Sequence, residues 1–95
     1  TILGSASADL TVERPHPGWS EQHPDSWITA TRKAIGQLRQ SHGAELGRLR
    51  GIGLSGHMHG ATTIDAAGDV IRPCILWNDT RSHAEAAELD ADSRA

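Results

Sequence analysis

The sequence predicts an α/β fold with a mixed sheet and two helices. Three observations carry that reading: apolar residues recur at helical spacing after Pro24, the period falls to two around Ile52 and Leu54, and turn residues separate short β-prone runs further on. A glycine-rich loop, Ser55-Gly56-His57-Met58-His59-Gly60, directly follows the period-two segment. Ligand pockets of α/β proteins form at the carboxyl ends of strands, so this loop is the first place to look for one. Imidazole can bond a hydroxyl through either ring nitrogen, and glycine lets backbone approach a ligand closely. Together they point to a polyol.

The first element is a strand at Leu10-Thr11-Val12-Glu13, where apolar and polar residues alternate. Arg14-Pro15-His16-Pro17-Gly18 stops it, because proline cannot serve a ladder. A helix begins at Pro24, with His23 at the N-cap and Asp25 at the positive end of the dipole. Trp27, Thr31, Ala34, Ile35 and Leu38 share one face of it, and Gly43 is the expected end. Trp19 and Trp27 flank the helix start and are expected to pack across it. Arg48 to Leu54 read as the next strand, with Gly51 and Gly53 leaving one face bare for close packing. Thr62-Thr63-Ile64 and Val70-Ile71-Arg72 form a hairpin over the turn from Asp65 to Asp69, closed by Gly68. Cys74-Ile75-Leu76-Trp77 reads as a short buried strand. A second helix follows Thr80, with Ser82 and Glu85 at capping-box spacing, and the sequence turns polar from Leu89 to Ala95.

Composition limits what the chain does alone. Apolar residues make up 37%, against about 45–50% for an average domain with glycine counted. The core is therefore small, and the chain is expected to be a piece of something larger. It begins at Thr1 rather than methionine, so further sequence is expected upstream. Net charge is −3, and the basic residues are scattered apart from a loose run from Arg32 to Arg50, which does not make a nucleic-acid stripe. The single cysteine, Cys74, allows no internal disulfide, fits a reducing compartment and reads as a small buried hydrophobe. No stretch reaches the roughly 20 apolar residues of a membrane span, and no signal-peptide pattern opens the chain. A cytoplasmic location is expected.

His57 and His59, spaced i, i+2, could face one metal from an extended strand. The remaining candidates, His16, His23, Cys74, Asp79 and His83, show no recognised ligand spacing, so no metal is assigned. The second candidate segment is Ile75-Leu76-Trp77-Asn78-Asp79-Thr80-Arg81. It places an apolar wall before a set of donors and acceptors, the usual division between a sugar's ring face and its hydroxyls. Plainer roles stay open: Asp79 capping the next helix, Arg81 pairing with Glu85, Trp77 filling core. No Gly-x-x-x-x-Gly-Lys-[Ser/Thr] or Gly-x-Gly-x-x-Gly phosphate cradle is present.

Four blocks in register carry a resemblance: Arg14-Pro15-His16-Pro17-Gly18-Trp19-Ser20-Glu21-Gln22, Pro24 with Trp27, Gly56-His57-Met58-His59-Gly60, and Ile75 through Arg81. Over residues 8–90 the chain resembles the FGGY carbohydrate kinases, and among them those acting on D-xylulose. The resemblance implies a ribonuclease-H-like fold of the actin and hexokinase type, with residues 1–95 an internal fragment of the first of two domains. It implies transfer of a phosphoryl group from ATP with Mg2+ to D-xylulose, giving D-xylulose 5-phosphate. Met58 and His59 would be the sugar-contacting pair, Gly60 would shape the pocket, Trp77 would line it, and Asp79 and Arg81 would organise its edge. The family's Asp-x-Gly-Thr-[Ser/Thr] phosphate turn would lie before Thr1, and its catalytic aspartate in a later Gly-Gly-x-Asp segment. The 95 residues are thus expected to contribute substrate binding, no catalytic residue and no ATP or Mg2+ site of their own. Expected partners are the sugar, the rest of the kinase chain and, through an unpaired sheet edge, a second copy in a homodimer. The alternative is a non-catalytic sugar-binding or self-associating module.

Overall fold

Four elements follow one another in the computed structural model, which describes residues 1–92: β1 (Glu21–Gln22), α1 (Pro24–Leu46), β2 (Cys74–Ile75) and α2 (His83–Ala91). β1 and β2 pair antiparallel, Glu21 opposite Ile75 and Gln22 opposite Cys74. Each outer edge takes one more residue, Glu13 against Glu21 and Ala61 against Ile75. Glu13 and Glu21 exchange both N–H···O bonds at 2.8 and 2.9 Å, and Ala61 and Ile75 do so at 2.9 and 3.0 Å. The ribbon therefore runs Glu13, Glu21, Ile75, Ala61 from edge to edge. The alternation of bonded and non-bonded pairs is that of an antiparallel ladder.

The expected mixed sheet is corrected, since every pairing among the described residues is antiparallel. No strand forms over residues 48–54, and Ile52 and Leu54 are 81% and 95% exposed. A period-two pattern favours extended backbone, but a strand also needs a neighbour to take its N–H and C=O groups. The same holds for the strand expected at Leu10–Glu13, of which Glu13 alone is bridged. The hairpin forms as expected: Ile64 bridges Val70, and Asp65 Oδ1 accepts the N–H groups of Ala67 and Asp69, each at 2.9 Å.

α1 starts where its sequence signals place it, with Pro24 in the first turn and His23 as N-cap, whose Nδ1 accepts the Asp25 N–H at 3.3 Å. Gly43 does not end it. His42, at φ −137° and ψ 40°, kinks the helix, which resumes to Leu46. Of the expected face Trp27, Ala34 and Leu38 are half-buried, with Ala30 beside them, while Thr31 and Ile35 are exposed and no residue of α1 is buried. Ile2 and Leu3 lie beside Leu38 and Leu46, and Ala6 to Leu10 beside Trp27 and Ala34, so the N-terminal segment runs back along the helix. Ser82 is the N-cap of α2 but makes no side-chain cap bond, so the capping box with Glu85 does not form. The last three residues of the polar tail lie outside the described residues.

Among the described residues those buried are Cys74, Leu76, Ser20 and Gln22, all at the β1–β2 junction. Around them the chain is open: it exposes 8005 Å², where a compact monomer of its mass exposes about 5,300 Å². The Cα radius of gyration is 18.4 Å, against about 12 Å for a compact chain of this length.

A charge-assisted clamp supplies the polar half of this small core. The Asp79 side chain, 1% exposed, accepts the N–H of Ser20 at 2.6 Å and that of Arg81 at 2.9 Å. Arg81 Nε donates to both Asp79 oxygens at 2.9 Å, and Nη2 donates to Oδ2 at 2.7 Å. Nη2 also reaches Glu21 Oε2 at 2.9 Å. Glu13 and Glu21 face each other across the ladder, a like-charge pair that the guanidinium offsets. The guanidinium lies on the Trp19 indole, 3.7 Å from the ring centroid, and His16 meets that indole edge-on at 4.5 Å. Behind it Gly18 adopts φ 81° and accepts the Thr80 N–H at 2.8 Å; a Cβ there would stand 2.6 Å from Thr80 Oγ1, so glycine is required twice over.

The Arg81 hydrogen bonds, helped by the Ser20 and Arg81 backbone N–H groups, hold the Asp79 carboxyl well below the usual carboxylate range despite the opposing cost of burial. As pH falls the unfolded chain takes up this proton first. The stability contributed by Asp79 is therefore complete above its ordinary value of 3.8 and is lost progressively below it. Asp79→Asn is expected to cost about 2–3 kcal/mol at neutral pH. In urea titrations the gap between wild type and variant should close as pH is lowered through the acid range, whereas a pH-independent gap would contradict the clamp.

Candidate functional site

The loop and the apolar run flagged in the sequence meet on one strand. Ile75 uses one edge to pair with Glu21 and the other to exchange hydrogen bonds with Ala61. The Ala61–Ile75 bridge is isolated and β2 ends at Ile75; Leu76 still bonds Ser20, and the chain then turns, so no ladder continues to Trp77. His59 and Trp77 each lie two residues from that bridge, His59 in the loop before Ala61 and Trp77 in the turn after Leu76.

His59 and its loop are shaped by specific local devices. His59 sits in the left-handed region at φ 62°, which costs a non-glycine residue about 1–2 kcal/mol. Strain of this kind persists where surroundings fix it, and here the Ala61–Ile75 bonds do so two residues later. Gly60 lies against the His57 imidazole and the Cys74 thiol; a Cβ would come within 2.7 Å of the ring and 3.0 Å of Sγ. Glycine lets the loop lie flat on the buried cysteine. Met58 is 73% exposed and Trp77 is 70% exposed.

Trp77 was expected inside a buried run, but burial stops at Leu76. The reason is the turn that follows: the Asp79 N–H donates to Leu76 O at 3.0 Å, which puts Trp77 and Asn78 at its tip. Asp79 and Arg81 are not exposed alongside it. They turn inward onto Ser20 and Glu21, and Arg81 reaches Glu21 in place of the Glu85 pairing that the sequence left open. Asp79 accepts the N–H of Arg81 as well as that of Ser20, but it does not cap α2, whose N-cap is Ser82. Ser20, Glu21 and Gln22 had no assigned role of their own, because their partners lie as far as 60 residues away.

A cleft of about 700 Å³ lies elsewhere, between the N-terminal segment, α1 and the glycine-rich loop, lined by Leu10, Gln22, Trp27, Ala34, His57 and Cys74 among others. Gln22 is committed there: its Nε2 donates to Thr11 O at 3.1 Å and its Oε1 accepts the Trp27 indole N–H at 2.9 Å. Gly60 touches this cleft, while Met58, His59 and Trp77 are not among its lining. Trp27 therefore packs as expected at the start of α1, and Trp19 packs on Arg81. Among the described residues no group of three or more His, Cys, Asp or Glu side chains converges on a common point. No helix among the described residues is long and apolar enough to cross a membrane.

The backbone path of the chain recurs in known proteins. The chain superposes on the crystal structure of a xyloylose kinase from Brucella ovis with a TM-score of 0.93 at 62% identity, over 97% of this chain and 19% of that one. For the xylulose kinase from Rhodospirillum rubrum the TM-score is 0.80 at 36% identity, over 85% of this chain and 17% of that one. In sequence it is 44% identical over 90 residues to the xylulose kinase of Escherichia coli (strain K12), covering 95% of this chain and 18% of that protein. The xylulose kinase of Klebsiella pneumoniae is 45% identical over 89 residues, with 94% and 18% covered. The chain thus spans less than a fifth of the length of these relatives. The profile of the FGGY family of carbohydrate kinases, N-terminal domain, matches residues 1–95. Matched from end to end by that profile, and folded as the corresponding part of solved sugar kinases, the chain belongs to the FGGY family of carbohydrate kinases.

Proposed function

We propose that this chain is an internal part of the N-terminal, ribonuclease-H-like domain of an ATP-dependent kinase, and that it forms the sugar-facing side of a site for D-xylulose. The observation that carries the reading is that the Ala61–Ile75 bridge joins the glycine-rich loop to the strand before Trp77, with His59 and Trp77 each two residues from it and both exposed. The indole offers an apolar wall for carbons, and the imidazole offers directional bonds to hydroxyls. Met58 completes the exposed pair, and Gly60 keeps the loop seated on Cys74. That similar proteins are named xylulose kinases supports D-xylulose as the sugar.

In this reading the chain binds and orients sugar and excludes water from its apolar face, which is the positioning part of phosphoryl transfer. ATP with Mg2+ would supply the transferred phosphoryl group and its charge balance. The residues here do not fit that group: the sequence has no Gly-x-x-x-x-Gly-Lys-[Ser/Thr] or Gly-x-Gly-x-x-Gly motif, the Asp79 carboxylate is saturated by Arg81 and Ser20, and Glu21 is paired with Arg81. Nucleotide and general base are therefore assigned to the rest of the kinase. That remainder would also cover the apolar cleft and the segment around Ile52 and Leu54.

A second reading, self-association, is favoured by the same exposed segment, which carries free ladder groups and apolar side chains. Sedimentation of the isolated chain is expected to show association that rises with concentration. A clean monomer throughout would remove that reading.

Two outcomes test the kinase reading. The isolated 95 residues should form no phosphorylated product from Mg-ATP and D-xylulose, and turnover by this chain alone would overturn the division of labour. In the full-length kinase, His59→Ala should lower kcat/KM for sugar by about 10–100-fold with the KM for ATP little changed. Trp77→Ala should act in the same direction at a stability cost of about 1 kcal/mol or less, because the indole is mostly exposed. Unchanged sugar kinetics in both variants would place the pocket elsewhere.

A further inference from the structure

An exposed indole needs something other than burial to hold it, and for Trp77 the support lies beneath its turn. Both ends of the Leu76–Asp79 turn are attached to one residue: the Leu76 N–H donates to Ser20 O at 2.9 Å, and the Ser20 N–H donates to Asp79 Oδ2 at 2.6 Å. Ser20 is itself fully buried. The Asp79 carboxylate can hold that orientation only while Arg81 grips both of its oxygens. Arg81 is in turn fixed by Glu21, at 2.9 Å from Nη2, and by the Trp19 indole under the guanidinium. Its Nη1 is buried without a hydrogen-bond partner. The guanidinium is thus held by two carboxylates and one aromatic face, and loss of any of the three frees it to turn.

We propose that Glu21 and Trp19 are positioning residues for the sugar side of the site, acting through Arg81 and Asp79 to fix the turn that presents Trp77. The inference rests on the reading of Trp77 as a sugar-pocket wall. Asp79 and Arg81, which family resemblance places at the pocket edge, then serve that edge from below, and Glu21 and Trp19 join them although neither touches sugar. The physical demand is plain: a wall displaced by about 1 Å can cost a reaction up to two orders of magnitude. An exposed turn tied to a buried amide by charge-assisted bonds resists such displacement.

The test is a double-mutant cycle in the full-length kinase. Glu21→Gln keeps the size of the side chain and removes its charge; Trp19→Phe keeps a ring and weakens the cation–π contact. Each is made alone and together with Trp77→Ala, and kcat/KM for D-xylulose, KM for ATP and thermal unfolding are measured. Glu21→Gln alone should lower kcat/KM for sugar about tenfold and leave the KM for ATP unchanged, with Trp19→Phe showing the same pattern more weakly. In the Trp77→Ala background neither should cause a further loss, since the group they position is gone. A loss repeated in full in that background would overturn the proposal, as would equal losses for sugar and ATP or no loss at all. If Trp77→Ala itself leaves sugar kinetics untouched, the pocket reading fails and takes the proposal with it. Full additivity beside a costly Trp77→Ala sinks the proposal alone.

Discussion

The amide and carbonyl of Ser20 are the point on which the described structure closes. The carbonyl accepts Leu76 at the end of β2, the amide donates to Asp79 beyond the turn, and the residue has no exposed surface. Segments 56 to 59 residues apart in sequence are joined there, and the two arms that carry His59 and Trp77 both hang from the strand so anchored. A buried carboxylate is tolerated at this position because it is saturated: two backbone N–H groups and the Arg81 fork satisfy its oxygens. Arg81 adds Glu21 and Trp19 to the same junction, so polar and aromatic groups do what apolar packing does in a larger core.

They have to, because there is little apolar core to share the work. Cys74 and Leu76 are the buried hydrophobes, while Ile52, Leu54 and Ile2 stand largely in solvent. The close superposition on a much longer kinase explains how such an open shape can be a native one: the same backbone path occurs there within a chain of which it fills 19%. On the proposed reading, this part contributes a surface that faces sugar, and turnover is left to the rest of the kinase. A specificity wall benefits from being built this way. Its exposed face is free to meet ligand while its buried face is locked by directional bonds.

Much of this was legible in the sequence where the signals are local. Pro24 with His23 marked the start of α1, the Asp65 to Gly68 turn marked the hairpin, and Cys74 read as a small buried hydrophobe; all three are found. Local signals misled where a neighbour was needed. Ile52 and Leu54 have the alternation of a strand but no ladder partner, and Gly43 has the chemistry of a helix end but follows a kink at His42 that the helix survives. The clamp was not legible, because nothing in Ser20-Glu21 signals an arginine 60 residues away. Arg81 had an equally good local partner in Glu85, and only the return of the chain against β1 decides between them. The glycine-rich loop and the Trp77 segment were both visible as candidates; that one strand unites them is a property of the register at Ile75.

The central claim is that one face of the Trp77 turn meets sugar while the other is locked to Ser20. A crystal structure of the full-length kinase with D-xylulose bound tests it most directly. The account predicts sugar carbons against the Trp77 indole, sugar hydroxyls bonded to His59, and Asp79 and Arg81 still engaged with Ser20 and Glu21. Sugar hydroxyls bonded directly to Asp79 or Arg81, or sugar bound away from Trp77, would contradict it.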